Sequence, residues 1–400
     1  MLHLTGDSLT IADMVAVARH REPVAAYSPA VIERMEVSQR WIAGIIARDE
    51  ATVYGVNTGF GSLAKVRIRS DQARRLSRNL ILTCLVGVGA PLPIEIVRAM
   101  MLQRANMFAR GNSGIRPQVA GLLIEMLNHD VTPWVPRKGS LGASGDLAPL
   151  AHIAVVLTRD ESADGGYSGQ AYYDGALMSG AEAMRRAGLE RMVAEAKEGL
   201  ALTNGAAMMV AIGALAVHDA ESLIQHAEIA AALSFEGLTG LTAALHPALH
   251  TANGQPGQIA TAARLRALLA GSRLVDSDTA RVQDAYSLRC APQVIGPARD
   301  TLAFLRERFS AALNATSDNP LIVGEDDDEP VAISGGNFHG QGPSMWLDFL
   351  SIALSAVGNI AERRVFRLVT PELSNGLPAM LAPESGLDSG LMMPQYTAAA

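Results

Sequence analysis

Two stretches of this 400-residue chain, 202–234 and 345–367, are apolar nearly all the way round a helical turn, with their charges gathered towards the ends. A helix of that kind has no polar face to give to water, so it belongs in the middle of a bundle. Shorter segments at 32–47, 72–86, 93–109, 118–127 and 181–187 mix apolar and polar residues at three- and four-residue spacing, which predicts further helices. Alternating runs of β-branched and aromatic residues are scarce. The exception is 162–176, where Gly165-Gly166 and Gly169 bracket Tyr167 and Tyr172-Tyr173 follow, which predicts a small hairpin. The expected fold is mainly α, with an N-terminal helical domain over 1–200 and a long central helical bundle over 201–400.

Only 4% of the residues are aromatic, so Ala, Leu, Val, Ile and Met must build most of the core. Hydrophobic residues at 49% against 18% charged supply enough of them for a compact globular chain. The formal net charge of −7 comes without any basic block, which argues against nucleic acid or an anionic membrane as the main partner. Two cysteines, Cys84 and Cys290, are too few for a disulfide framework and fit a reducing compartment. The N-terminus lacks the basic start, apolar run and small-residue cleavage site of a secretory signal. No run reaches the roughly 18 unbroken apolar residues of a membrane-spanning helix. The most apolar run, 206–217, is preceded by Asn204 and followed by His218-Asp219, and reads as a buried core helix. A soluble, cytoplasmic protein is expected.

Glycines punctuate the helices at YGVNTGFGS (54–62), ARGNSGIRP (109–117), KGSLGASGDLAP (138–149) and ISGGNFHGQGP (333–343). Such clusters mark turns where backbone approaches backbone or takes φ > 0. The acidic run 325–329 lacks the carboxylate spacing of a calcium loop and reads as a solvated loop. His246 and His250 are four apart, a spacing that can present two imidazoles to zinc from one helical face. No third ligand is near and Pro247 marks a turn, so no metal is expected.

The string GSLGASGDLAPLAH (139–152) carries the chemistry. Three small residues in a row, Ala143-Ser144-Gly145, can bend until the Gly145 nitrogen meets the Ala143 carbonyl carbon. Attack there, with loss of water, closes a five-membered ring. Losing the Ser144 hydroxyl as a second water leaves an exocyclic methylene. The product is a 4-methylidene-imidazol-5-one (MIO), an electrophile made from the backbone without a bound cofactor. Gly145 suits the attacking position because it has no side chain to block the bend, and Asp146 stands beside it to steer protons. Two plainer readings compete. Ser144 as a hydrolase nucleophile fails on spacing, since G-x-S-x-G is absent and no strand precedes it. A helix N-terminus capped by Ser144 or Asp146 would explain an isolated Ala-Ser-Gly, but the extended string favours the cyclised one.

At these residues the chain resembles the histidine and aromatic amino acid ammonia-lyase family, which also contains aminomutases. The likeness runs to residue 400 through YGVNTGFG (54–61), NSGIRP (112–117), GSLGASGDLAPLAH, EGLALTNG (198–205), QDAYSLRCAPQVIG (283–296), SDNPLIV (317–323), GGNFHGQ (335–341) and SGLMMPQYTAAA (389–400). The resemblance implies that 1–200 is the MIO-bearing domain, that the chain forms a homotetramer, and that active sites are shared among subunits. It further implies roles for single residues. Tyr54 matches the base that removes the β-proton, and a phenol near pKa ~10 needs help from its surroundings to do so. Arg289 matches the arginine that grips the substrate carboxylate, a task suited to a planar guanidinium. Gln283 and Tyr286 match pocket-lining residues, Asn204 the asparagine bonding near the electrophile, and Phe338 the ring packed beside it. Taken one by one, Tyr54, Tyr286 and Phe338 also fit core aromatics, and Arg289 an ion-pair partner of Asp284. His339 reads equally as an acid or base or as a pocket wall.

Two places depart from the family pattern. Where histidine lyases resemble one another in a Ser-His pair facing the substrate side chain, tyrosine lyases in His-Leu and phenylalanine lyases in Phe-Leu, this chain has Thr83-Cys84. That pair lacks the imidazole partner of a polar ring, which argues against histidine and tyrosine and leaves the substrate open. The chain also ends inside a block that family members continue, towards a glutamate close to the active site and a C-terminal helical region. The expected activity is elimination of ammonia from an α-amino acid to give an α,β-unsaturated acid. The alternatives are a 2,3-aminomutase using the same electrophile, or a silent helical scaffold.

Overall fold

Local capping sets the first helices. In α1 (Ile11–His20), Thr10 and Asp13 bond each other's backbone N–H in a capping box. In α2 (Pro29–Arg48), Ser28 caps and Pro29 takes the first helical position, where a missing N–H costs nothing. A computed structural model describes the chain apart from residues 50, 142, 163–164, 279 and 325–328. The acidic run read as a solvated loop therefore lies, but for Glu329, outside the described residues. The next helices are α3 (Ala73–Thr83), α4 (Ile94–Phe108), α5 (Pro117–Asn128), α6 (Leu147–Leu157), α7 (Gly180–Arg186) and α8 (Glu198–Thr203). After them come α9 (Ala207–Gly237), α10 (Pro247–Asn253), α11 (Pro256–Leu268), α12 (Tyr286–Arg289), α13 (Ala291–Leu313), α14 (Gln341–Val369) and α15 (Met392–Ala399). The mainly α expectation holds.

The chain packs as two units, Met1–Leu215 with Arg308–Met345, and Ala216–Glu307 with Trp346–Ala400. The sequence-based boundary at 200/201 falls inside the first. At the centre of that unit α4 packs against α1 and α5, and residues 97–108 are buried all round. Several of its polar side chains reach other elements. Arg98 donates to Val17 O (3.0 Å) and Leu127 O (3.2 Å), carbonyls in the last turns of α1 and α5. In the second unit Gly257 of α11 lies against Gly296 of α13, where a Cβ would stand 2.1 Å from the Gly296 carbonyl oxygen.

Three expectations need correction. The apolar stretch 202–234 is not one helix, because Gly205 takes φ +142°, which a helix cannot continue through, so α8 ends at Thr203 and α9 starts at Ala207. The helix expected over 72–86 stops at Thr83, and the chain turns into a short strand, Val88–Pro91, paired antiparallel with Pro136–Lys138. The hairpin begins inside its expected window, 162–176, and runs on past it to Ser179. Gln170–Tyr173 pairs with Ala176–Ser179 around Asp174-Gly175, at φ +49° and +73°, the two-residue turn that matches strand twist. Thr132–Pro133 adds a third strand. By length and composition α9 and α14 are each apolar enough to cross a membrane, but 56% of the apolar window of α9 is buried in the chain against 17% for α14.

Candidate active site

Residues 143–145 form a tight turn just before α6. Leu141 N–H donates to Gly145 O (3.1 Å) and Asp146 N–H to Gly205 O (2.9 Å), so the turn is closed on one side and pinned to Gly205 on the other. Gly145 sits at φ +60°, and a Cβ there would stand 2.6 Å from Gly205 O, so glycine alone fits without strain. Ala143 is exposed, Ser144 half-buried and Gly145 buried.

Asp146 does not cap the helix it precedes. Its buried carboxylate accepts Met208 N–H (2.6 Å) and Met209 N–H (3.3 Å), so it caps the first turn of α9 instead, and it also accepts the Ser140 hydroxyl (2.6 Å). Burial pushes the Asp146 carboxyl up to about 6, with these hydrogen bonds and the Arg104 charge pulling the other way.

Around α8 the remaining first-unit residues gather. α3 and α6 both pack on it. Asn204, its C-cap, is buried, and its Nδ2 donates to Asp318 Oδ1 (3.3 Å). Lys197, its N-cap, donates from Nζ to Asp318 Oδ2 (2.7 Å), both side chains being fully buried. Arg104 donates to the Asn204 carbonyl (2.9 Å) and to that of Ala201. Burial lowers Arg104 to about 10 and also lowers Lys197, against the pull of Asp318.

The loop holding Phe338 reaches the turn through Gly340, whose N–H donates to Ala143 O (3.3 Å). Phe338 is half-buried. His339 is exposed and its Nδ1 accepts Gln341 N–H (3.2 Å) at the start of α14. The loop of Tyr54 is anchored by Val56, buried in a cluster with Ile42, Ile45, Ala196 and Ile322. Its Asn57 side chain accepts Val53 N–H (2.8 Å) and donates to Ala51 O (2.7 Å). Tyr54 itself is half-buried, and its Oη accepts Gly61 N–H (3.3 Å). Gly55 faces Leu200 of α8, where a Cβ would stand 2.4 Å from Leu200 Cδ2. Thr83 ends α3 and is exposed, while Cys84 is its half-buried C-cap, and burial pushes the thiol up, which keeps it neutral.

Gln283, Tyr286 and Arg289 belong to the second unit. The Arg289 guanidinium lies over the Tyr286 ring, 4.6 Å from its centroid, and its Nε is buried without a hydrogen-bond partner. The pairing with Asp284 does not form: Asp284 takes Arg281 (3.3 Å) and Leu241 N–H (2.5 Å). Gln283, Arg289, Cys290 and Gln293 line a cleft of about 260 Å³. The two helix-spaced histidines are engaged with their own surroundings. His246 accepts Ala248 N–H (3.2 Å), and the His250 ring nitrogens meet Ala244 O (3.1 Å) and Gln258 Nε2 (2.9 Å).

Residues 9–400 match the family model described as aromatic amino acid lyase. The chain belongs to that family. A histidine ammonia-lyase from Treponema denticola is 48% identical to this lyase over 396 residues, which cover 99% of the chain and 76% of the relative. The solved phenylalanine aminomutase of Pantoea agglomerans superposes with a TM-score of 0.90 at 36% identity, covering 100% of the lyase and 79% of that chain. The histidine ammonia-lyase of Trypanosoma cruzi does so with a TM-score of 0.87 at 35% identity, covering 100% and 72%.

The structure draws Ala143, Ser144, Gly145, Asn204 and the Phe338 loop of the lyase together. Tyr54, Thr83 and Cys84 sit on elements packed on α8. Sequence reading passed over Lys197, Asp318 and Arg104. Asp318 lay within the SDNPLIV block, but nothing local signals that its partner is a lysine 121 residues earlier.

Proposed function

We propose that the chain eliminates ammonia from an α-amino acid to give an α,β-unsaturated acid, with Ala143, Ser144 and Gly145 forming an MIO group as its electrophile. The observation that carries this is the Gly145 turn pressed on Gly205 inside a chain whose family match is nearly complete. The residues present fit the group. Gly145 has the bend and the bare α-carbon that ring closure asks for, and Gly340 N–H polarises the carbonyl to be attacked. When formed, MIO supplies an electrophilic methylidene carbon that makes the substrate nitrogen a better leaving group.

The side chains divide the rest of the work. Tyr54 Oη removes the β-proton. Arg289 holds the substrate carboxylate by two oxygens, which its lack of any carboxylate partner among the described residues leaves it free to do. Asn204 bonds beside the electrophile, Phe338 packs against it, Gln283 and Tyr286 line the pocket, and Thr83 and Cys84 face the substrate side chain. A homotetramer with shared active sites is part of this reading. It is supported by α14, where Phe349 and Ile352 are exposed on a mostly unburied apolar helix. Two free thiols support a cytoplasmic setting.

Histidine, the substrate in the names of the relatives, heads the amino acids to be tested, although Thr83-Cys84 offers it no imidazole partner. The aminomutase reading is favoured by one observation, the close superposition on a phenylalanine aminomutase. Incubating the chain with L-histidine, L-phenylalanine, L-tyrosine and aliphatic amino acids, with NMR of the products, tests both. Ammonia with an unsaturated acid is expected. A β-amino acid would establish the mutase, and no turnover of any amino acid would overturn the proposal.

A further inference from the structure

We infer that Lys197 and Asp318 are positioning residues for this reaction, holding the side-chain amide of Asn204 beside the 143–145 turn through one buried carboxylate. The inference rests on the reading that this turn carries the electrophile.

The geometry is a clamp on α8. Lys197 and Asn204 bracket this six-residue helix as its N-cap and C-cap, and Asp318 bonds both, at 2.7 Å and 3.3 Å. A helix this short does not hold its own ends, since isolated helices below ~12 residues are marginal in water. Arg104 fixes the carbonyls of Ala201 and Asn204, which sets the backbone but leaves the Asn204 side chain free to flip. Asp318 removes that freedom. A carboxylate only accepts, so the amide must turn its NH2 towards it, spending one N–H there and keeping the other N–H and Oδ1 for the site.

Asp318 engages both of its oxygens in doing so. Oδ2 takes Lys197, and Oδ1 takes Asn319 N–H (2.7 Å) together with Asn204. Two fully buried opposite charges are a poor device for stability alone, because apolar residues of similar volume commonly serve as well or better. Lys197 also holds φ +70°, a conformation that non-glycine residues adopt only under constraint. Gly205, the residue after Asn204, is the one bridged to Gly145, so a shift of this amide occurs next to the electrophile itself.

The test uses the full chain. Either single change would strand a buried charge, so Lys197→Met and Asp318→Leu are made together and compared with Asn204→Ala and with all three changes combined. Intact mass reads the loss of two waters, sodium borohydride uptake reads the reactivity of the ring, and ammonia release from the fastest amino acid of the panel gives kcat and KM. The pair variant should keep the two-water deficit, while hydride uptake and kcat fall about 10- to 100-fold with KM changed less than about threefold. Adding Asn204→Ala should cost less than about a further twofold, because both changes remove the same interaction. Lys197→Gln with Asp318→Asn keeps an acceptor facing Asn204 and should restore the rate to within about threefold. Native rates in the apolar pair, multiplying losses in the triple variant, or no recovery in the polar pair would overturn the inference. A missing two-water deficit in the unchanged chain would instead overturn the reading beneath it.

Discussion

Gly145 and Gly205 meet backbone to backbone, so closely that a Cβ on Gly145 would lie 2.6 Å from the Gly205 carbonyl oxygen. The turn expected to cyclise is therefore held from outside by a second turn that interrupts a long apolar stretch. Gly145→Ala meets this contact and a φ of +60° together. The variant should lose about 1–3 kcal/mol of stability and retain both waters in its intact mass. A native-like melt with the deficit intact would contradict the account.

Asp146 gives the site a pH signature. Its carboxyl is raised from an ordinary value of 3.8 to about 6, mainly by burial. A carboxyl with a raised folded pKa binds its proton more tightly when folded. Its contribution to stability is complete below 3.8 and is lost as pH climbs through about 6. That change amounts to about 3 kcal/mol. Asp146→Asn should flatten the urea-unfolding free energy between about pH 4 and pH 7 by that amount, relative to the unchanged chain. Parallel pH profiles would contradict it.

Tyr54 accepts one long bond from Gly61 N–H and is only half-buried, so little of the fold depends on its hydroxyl. Tyr54→Phe should melt like the parent and keep the two-water deficit, with kcat lowered by about 10²- to 10⁴-fold. A fall in kcat below about tenfold would remove Tyr54 from the role of base.

In the proposed pocket the half-buried Cys84 thiol at the end of α3, kept neutral by burial, would give a substrate ring no charged partner. Thr83→Ser with Cys84→His restores an imidazole there. The ratio of kcat/KM for histidine to that for phenylalanine should rise by about tenfold or more. An unchanged ratio would show that specificity is set elsewhere.

How much of this the sequence revealed depended on range. Helix periodicity located α2, α4, α5 and α7 to within a few residues, because amphipathic spacing is a local property. The break at Asn204-Gly205 was hidden inside an apolar run, since its cause is the close approach of Ser317 O, which stands 2.6 Å from a Cβ at Gly205. The hairpin turn belonged to Asp174-Gly175 rather than the earlier glycines, a turn-type preference that counting glycines misses. Asp146 read locally as a possible cap for its own helix, whereas it caps α9. The Lys197–Asp318 pair joins residues far apart in the chain, and no periodicity could have placed it.

The central claim is a covalent one, and intact-protein mass spectrometry reads it directly. The purified chain should weigh two waters less than its sequence, and Ser144→Ala should remove the deficit of the second water and abolish borohydride labelling. A chain at its full sequence mass that nevertheless releases ammonia from an amino acid would contradict the account.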